Sequence, residues 1–170
     1  MKILGVQPNG ILNSVGKPSL EVTVKTKNGI FSSSIPHGTS VGKYEVPLKS
    51  VSESIAEIKK MKIKEINSFD EIIEFEKSIE QLKIISLPLI YSLIKAFAAE
   101  GNKEPYELFG MMEKPALLFK IVGGGLHAGG PEFKEFLISP QSNSLIKNLK
   151  IAYSIHREFG ELLKLKGKDM

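Results

Sequence analysis

The sequence predicts an α+β domain followed by a strand–strand–helix segment that does not make a domain by itself. Three observations carry this. Residues 20–35 alternate apolar and polar side chains with a turn in the middle, residues 50–101 show capped helical periodicity, and residues 116–165 change to two short apolar runs and one long amphipathic stretch. Strands first and helices after indicate helices packed on one face of an antiparallel sheet. The boundary is placed at Lys114-Pro115, giving an α+β domain over 1–114 and a partial barrel segment over 115–170.

In the first domain, Leu20, Val22 and Val24 alternate with Glu21, Thr23 and Lys25, the period of a half-buried strand. Lys27-Asn28-Gly29 is a turn signal, because Asn and Gly tolerate positive φ, and Ile30–Ile35 resumes as the second arm of a hairpin. A short strand near Ile3–Val6 completes a three-stranded meander. Ser50 and Glu53 have capping-box spacing, and Ile55, Ile58 and Met61 follow at helical period. Ser68 and Glu71 repeat the box before an apolar stripe of Phe69, Ile72, Ile73, Ile79 and Leu82. Ser86 is expected to cap a third helix with Leu87 and Pro88 in its first turn, ending at Gly101-Asn102, and Pro105–Phe109 forms a short fourth one.

In the second segment, Ala116–Val122 is apolar except for Lys120, which suits a strand buried on both faces. Phe133–Ser139 reads as a second strand, and Leu145–Leu165 as one long amphipathic helix. Two such strands and one helix cannot cover their own faces, so the segment is expected to need more structure than this chain supplies.

Composition narrows the function classes. The 170 residues are 42% hydrophobic and 25% charged, with a net charge of +4 and no cysteine. Disorder is not expected at this composition. Lys and Glu are interleaved rather than gathered in a basic stripe, which argues against nucleic-acid binding. Absence of Cys removes disulfides, zinc–thiolate sites and thiol catalysis. The first ten residues carry no signal-peptide core. The apolar stretch Leu82–Ala99 is interrupted by Lys83, Pro88 and Lys95, which does not suit a membrane span. The expectation is a cytoplasmic protein without membrane or nucleic-acid partners.

Two glycine-bracketed loops hold the polar side chains of interest. Residues 35–46 read IPHGTSVGKYEV, with the Thr39 and Ser40 hydroxyls between Gly38 and Gly42. Hard oxygen donors of this kind suit Mg²⁺, and they equally satisfy the turns of an ordinary surface loop. Residues 123–130 read GGGLHAGG around His127. Glycines admit a ligand close to the backbone, yet neither nucleotide-binding glycine pattern is present. Imidazole is a common proton-transfer group, and a lone His is also a common structural residue.

Taken together these stretches resemble enolase. Residues 11–22, ILNSVGKPSLEV, are similar to the opening signature I-L-D-S-R-G-N-P-T-V-E-V; residues 35–46 to V-P-S-G-A-S-T-G-x-Y-E-A; and residues 117–138, LLFKIVGGGLHAGGPEFKEFLI, to P-x-x-N-x-x-N-G-G-x-H-A-x-x-x-x-x-Q-E-F-M-I. The resemblance covers nearly the whole chain but only the amino-terminal part of the family's length. It implies a small α+β domain followed by a barrel that opens strand–strand–helix. It implies that Ser40 matches the mobile-loop serine that binds the catalytic Mg²⁺ and that Gly38 and Gly42 match the loop glycines. His127 then binds substrate, and Glu135 binds substrate and takes part in the proton and hydroxide chemistry. The departures are Asn13 and Val15 for a charged pair, His37 and Val41 beside the loop serine, Gly123 for asparagine and Lys134 for glutamine, along with a shortened middle segment.

Enolase chemistry abstracts a proton α to a carboxylate, with metal ions stabilising the enolate and a Lys as base. The family's acidic metal ligands and that Lys have no counterpart in this sequence, so the chain alone is expected to be inactive. Two functions follow. One is the amino-terminal half of a split phosphopyruvate hydratase, with Mg²⁺ and a phosphorylated small-molecule substrate bound once a second chain supplies the rest of the barrel. The other is a non-catalytic binding or regulatory relative, or a self-associating one. The run Gly167-Lys168-Asp169-Met170 reads as a natural helix end, which favours a genuine short protein over a gene fragment.

Overall fold

The computed structural model describes residues 1–36, 43–44, 50–110, 115–124 and 133–165, with Lys83 and Ile84 described in the backbone alone. Two compact units are present, Met1–Met112 and Glu113–Met170.

The first unit is built on an antiparallel meander of β1 (Gly5–Leu12), β2 (Pro18–Thr26) and β3 (Gly29–Ser34), with β2 in the centre. β1 is longer and later than the predicted Ile3–Val6. Pro8 and Gly10 discourage a strand reading, but β1 is an edge strand, where a missing donor is tolerated. Val51 Cγ1 lies 3.4 Å from the place a Cβ on Gly10 would take, so the residue that opens the following helix packs against the strand here. Ile3 instead donates its N–H to the Lys64 carbonyl at 2.9 Å, outside the sheet. Asn13 makes the β1–β2 turn: its side-chain oxygen accepts from Val15 N at 3.0 Å and Lys17 N at 2.9 Å, and Gly16 takes φ +74°.

Helices α1 (Val51–Lys59) and α2 (Phe69–Ser78) start where the capping residues predict. The Ser50 hydroxyl accepts from Glu53 N at 3.3 Å and the Ser68 hydroxyl from Glu71 N at 3.2 Å, each satisfying an N–H that has no partner inside the helix. The second stripe does not continue as one helix. The α2 helix stops at Ser78, and Glu80–Ile85 winds as a 3-10 helix leading directly into α3 (Ser86–Glu100). Ser86 is therefore not a cap but the first helical residue, and it is buried. At the far end Asn102 adopts φ 51°, while Lys103 N donates to Ala98 O at 2.9 Å and Asn102 N to Ala99 O at 3.3 Å, a left-handed stop that satisfies the last carbonyls. Pro105–Phe109 is a 3-10 turn whose Phe109 ring meets Phe69 edge-on at 5.0 Å.

The core lies between the sheet and α3. Leu20, Val22 and Val24 from β2 and Leu89 and Leu93 from α3 have no exposed surface, and Ile58 of α1 and Ile72 of α2 close the sides. Ser92, also fully buried, donates its hydroxyl to the Val22 carbonyl at 2.8 Å.

The second unit pairs β4 (Phe119–Gly123) with β5 (Glu135–Ile138), antiparallel, and adds α4 (Leu145–Leu165). The predicted Ala116–Val122 strand begins only at Phe119, and its predicted burial on both faces is not found: Ile121 is 9% exposed, whereas Leu118 is 66% exposed. Among the described residues of this unit, one neighbouring strand and one helix leave the rest uncovered.

Truncating Leu93 to Ala should lower unfolding stability by about 3 kcal/mol, measured by urea denaturation of the chain; a loss below about 1 kcal/mol would show that α3 does not form the core against β2.

Candidate functional site

The first glycine loop leaves the sheet from a fixed point. Ile35 N donates to Leu20 O at 3.0 Å, and the buried Ser19 hydroxyl donates to Ile35 O at 3.1 Å. Both polar groups of Ile35 are thus held beside β2, and Pro36 begins the departure. Gly38 and Ser40, with His37, Val41 and Gly42, lie outside the described residues. So does His127 of the second loop. On either side of that loop the ladder runs one step beyond the strands, Gly124 N donating to Lys134 O at 2.8 Å.

Glu135 is the predicted site residue that the structure places. It opens β5, directly opposite Gly123 of β4, and its carboxylate Oε1 lies 3.4 Å from Lys120 Nζ. Both side chains are substantially exposed, 39% and 54%, so solvent and ligands reach the pair. Sequence reading did not single out Lys120; in the linear pattern it only interrupts an apolar run.

The surroundings are apolar and uncovered. Leu137 and Phe136 of β5 are 44% and 49% exposed, and Leu118 and Phe133 more so. On α4, Ala152 and Gly160 alone are buried, although Leu149, Ile155 and Leu162 also belong to its apolar stripe. An open groove of about 250 Å³ lies between β4 and α4, bordered by Phe119, Ile121, Leu149, Tyr153 and His156. A larger hollow in the first unit, about 420 Å³ beside Glu76, Lys77 and Glu80, contains none of the predicted site residues. Among the described residues no group of three or more His, Asp or Glu side chains could hold a metal ion, and no helix is long and apolar enough to cross a membrane.

No protein-family profile matches the chain. Individual proteins do. It is 28% identical over 179 residues to the enolase of Thermoplasma acidophilum, an overlap of 94% of this chain and 44% of the relative. It is 27% identical over 196 residues to the enolase of Ehrlichia ruminantium, covering 98% and 46%. Against the enolase of Methanocorpusculum labreanum it is 29% identical over 176 residues, covering 93% and 44%. The chain is enolase-related. It spans somewhat under half the length of these curated relatives. The three-stranded antiparallel sheet followed by helices agrees with an enolase amino-terminal domain.

The uneven burial of this enolase-related chain has a dynamic consequence, because amides under few buried contacts open locally. Amides of β5 should exchange with deuterium at least about a hundredfold faster than those of Leu20–Val24, a gap of the size local against global opening produces. Hydrogen-exchange mass spectrometry reads this directly, and equal protection would contradict it.

Proposed function

We propose that this chain is the amino-terminal half of a divided phosphopyruvate hydratase, which converts 2-phosphoglycerate to phosphoenolpyruvate after a second polypeptide completes the barrel. The observation that carries this reading is the uncovered apolar side chains of the second unit: Phe136 and Leu137 of β5 and Leu149 and Leu162 of α4 are exposed, and apolar surface of this kind marks a place that a partner covers. The similarity to enolases supplies the reaction.

In this reading the work is divided. The second chain supplies the base that removes the proton α to the substrate carboxylate. Glu135, reached from solvent on β5, serves the other end, giving a proton to the hydroxyl that leaves as water. His127 and Gly38 contact substrate. The described residues form no metal centre of their own, so Mg²⁺ would rest mainly on carboxylates of the second chain, with Ser40 adding an oxygen. Such an assembly works in the cytoplasm, where its phosphorylated substrate is found.

A second reading, a non-catalytic binding or regulatory protein, is favoured by His37, Val41 and Lys134 at positions where the family pattern has other residues, and by the shortened middle segment.

One experiment separates the two. The chain is recovered with its bound partners from the cytoplasm of its source, and Mg²⁺-dependent formation of phosphoenolpyruvate is followed by absorbance. The split enzyme predicts turnover from the recovered pair, none from the chain alone, and a drop of at least about a hundredfold in Glu135→Gln, the scale of a lost proton-transfer group. No turnover from the pair, with phosphoglycerate binding to the chain alone, would establish the second reading instead.

A further inference from the structure

The strand pairing around Glu135 is irregular. In regular β structure, residues two apart share a face, so Lys120 and Val122 would point together and Gly123 would point away. The register is broken between Lys120 and Val122. Lys120 stands opposite Leu137, and after the bulge Gly123 stands opposite Glu135. Leu137 and Glu135 are two apart on β5, so the bulge brings Lys120, Gly123 and Glu135 onto one face of the pair.

Space on that face is limited. A Cβ added to Gly123 would lie 2.8 Å from Lys120 Cε and 3.0 Å from its Nζ, closer than non-bonded atoms approach. The Lys120 stem therefore lies across the Gly123 backbone, in the volume a side chain at 123 would fill, and from there its ammonium reaches Glu135 at 3.4 Å. The family pattern P-x-x-N-x-x-N-G-G has asparagine at the positions of both Lys120 and Gly123. The lysine and the glycine fit one another: the first provides the cation and the second leaves room for it.

We propose that Lys120 is a positioning residue for Glu135, admitted by Gly123, which holds the carboxylate in a single orientation toward the β4 side of the site. Its catalytic significance rests on the split-enzyme reading; the positioning itself does not. An exposed ion pair contributes little to fold stability, so replacing Lys120 should leave β4–β5 intact while releasing the Glu135 side chain among its staggered rotamers.

The test is side-chain NMR on the whole chain, comparing wild type with Lys120→Met, Lys120→Arg and Gly123→Ala. The Glu135 carboxyl resonance and its Hβ–Hγ couplings are read, with cross-strand contacts between Val122 and Phe136 confirming the pairing. In Lys120→Met, which keeps an unbranched stem and loses the charge, the couplings should pass from one dominant rotamer to averaged values. Lys120→Arg should restore them. Gly123→Ala displaces only the flexible end of the Lys120 side chain, so it should shift the Glu135 couplings in the same direction as Lys120→Met and by less. Unchanged Glu135 couplings in Lys120→Met overturn the proposal whatever Gly123→Ala does. In the recovered two-chain assembly, Lys120→Met should lower kcat about a hundredfold, the cost of a misplaced reacting group, with rescue by Lys120→Arg. Positioning seen by NMR without turnover from any assembly would remove the split-enzyme reading and leave the Lys120 assignment standing.

Discussion

The first unit depends on the burial of one strand. β2 has a sheet neighbour on each edge and α3 across its inner face, so Leu20, Val22 and Val24 lose all contact with water. Each such side chain contributes roughly 1.5–3 kcal/mol relative to exposure, and among the described residues no other strand is buried to this extent. The small residue Ala96 of α3 is also buried in this core. Ser92 satisfies its buried hydroxyl on the Val22 carbonyl, so the polar group does not carry the cost of burial without a partner. The same strand fixes where the first glycine loop begins, because Leu20 and Ser19 hold Ile35 from both sides. Core packing and the point from which the first glycine loop departs are here one arrangement.

The second unit shows the same requirement unmet. Its helix has an apolar stripe broad enough for several neighbours, yet β4 and β5 offer it a short, narrow surface. Ile121 and Ala152 pack where the two meet, and the residues flanking that contact stay in water. A helix on one side of two strands can bury only the middle of such a stripe. This is why the split-enzyme reading turns on apolar surface as much as on site chemistry: the residues that would close a barrel are those left uncovered.

Much of this was legible in local chemistry. The Ser50 and Ser68 caps, the turn at Asn28-Gly29 and the Asn102 stop are each decided within four or five residues, and the structure forms them as read. Where the reading failed, neighbours distant in sequence decided. The first strand was expected near Ile3–Val6, but β1 runs Gly5–Leu12 as an edge strand beside α1, where the missing donor of Pro8 is tolerated. Ser86 had the chemistry of a cap, but the preceding residues already wind as a 3-10 helix, so it enters α3 as a buried helical residue. Ala116–Val122 had the composition of a buried strand, and composition states what a strand can tolerate without saying whether a neighbour is present.

The site was less legible for a specific reason. Periodicity assigns side chains to faces by counting along one strand, and a β-bulge changes the count. Counting from Lys120 places Gly123 on the opposite face, which makes the lysine an interruption in an apolar run and the glycine one of three in a flexible-looking series. Only the pairing shows that the two face Glu135 together. The bulge also explains why glycine at 123 does more than permit an irregular backbone: with the register displaced, any side chain there would compete with the lysine stem for the space opposite the carboxylate. A motif comparison records Lys120 and Gly123 as two separate departures from asparagine, whereas in the folded strands they form a single change in how Glu135 is held.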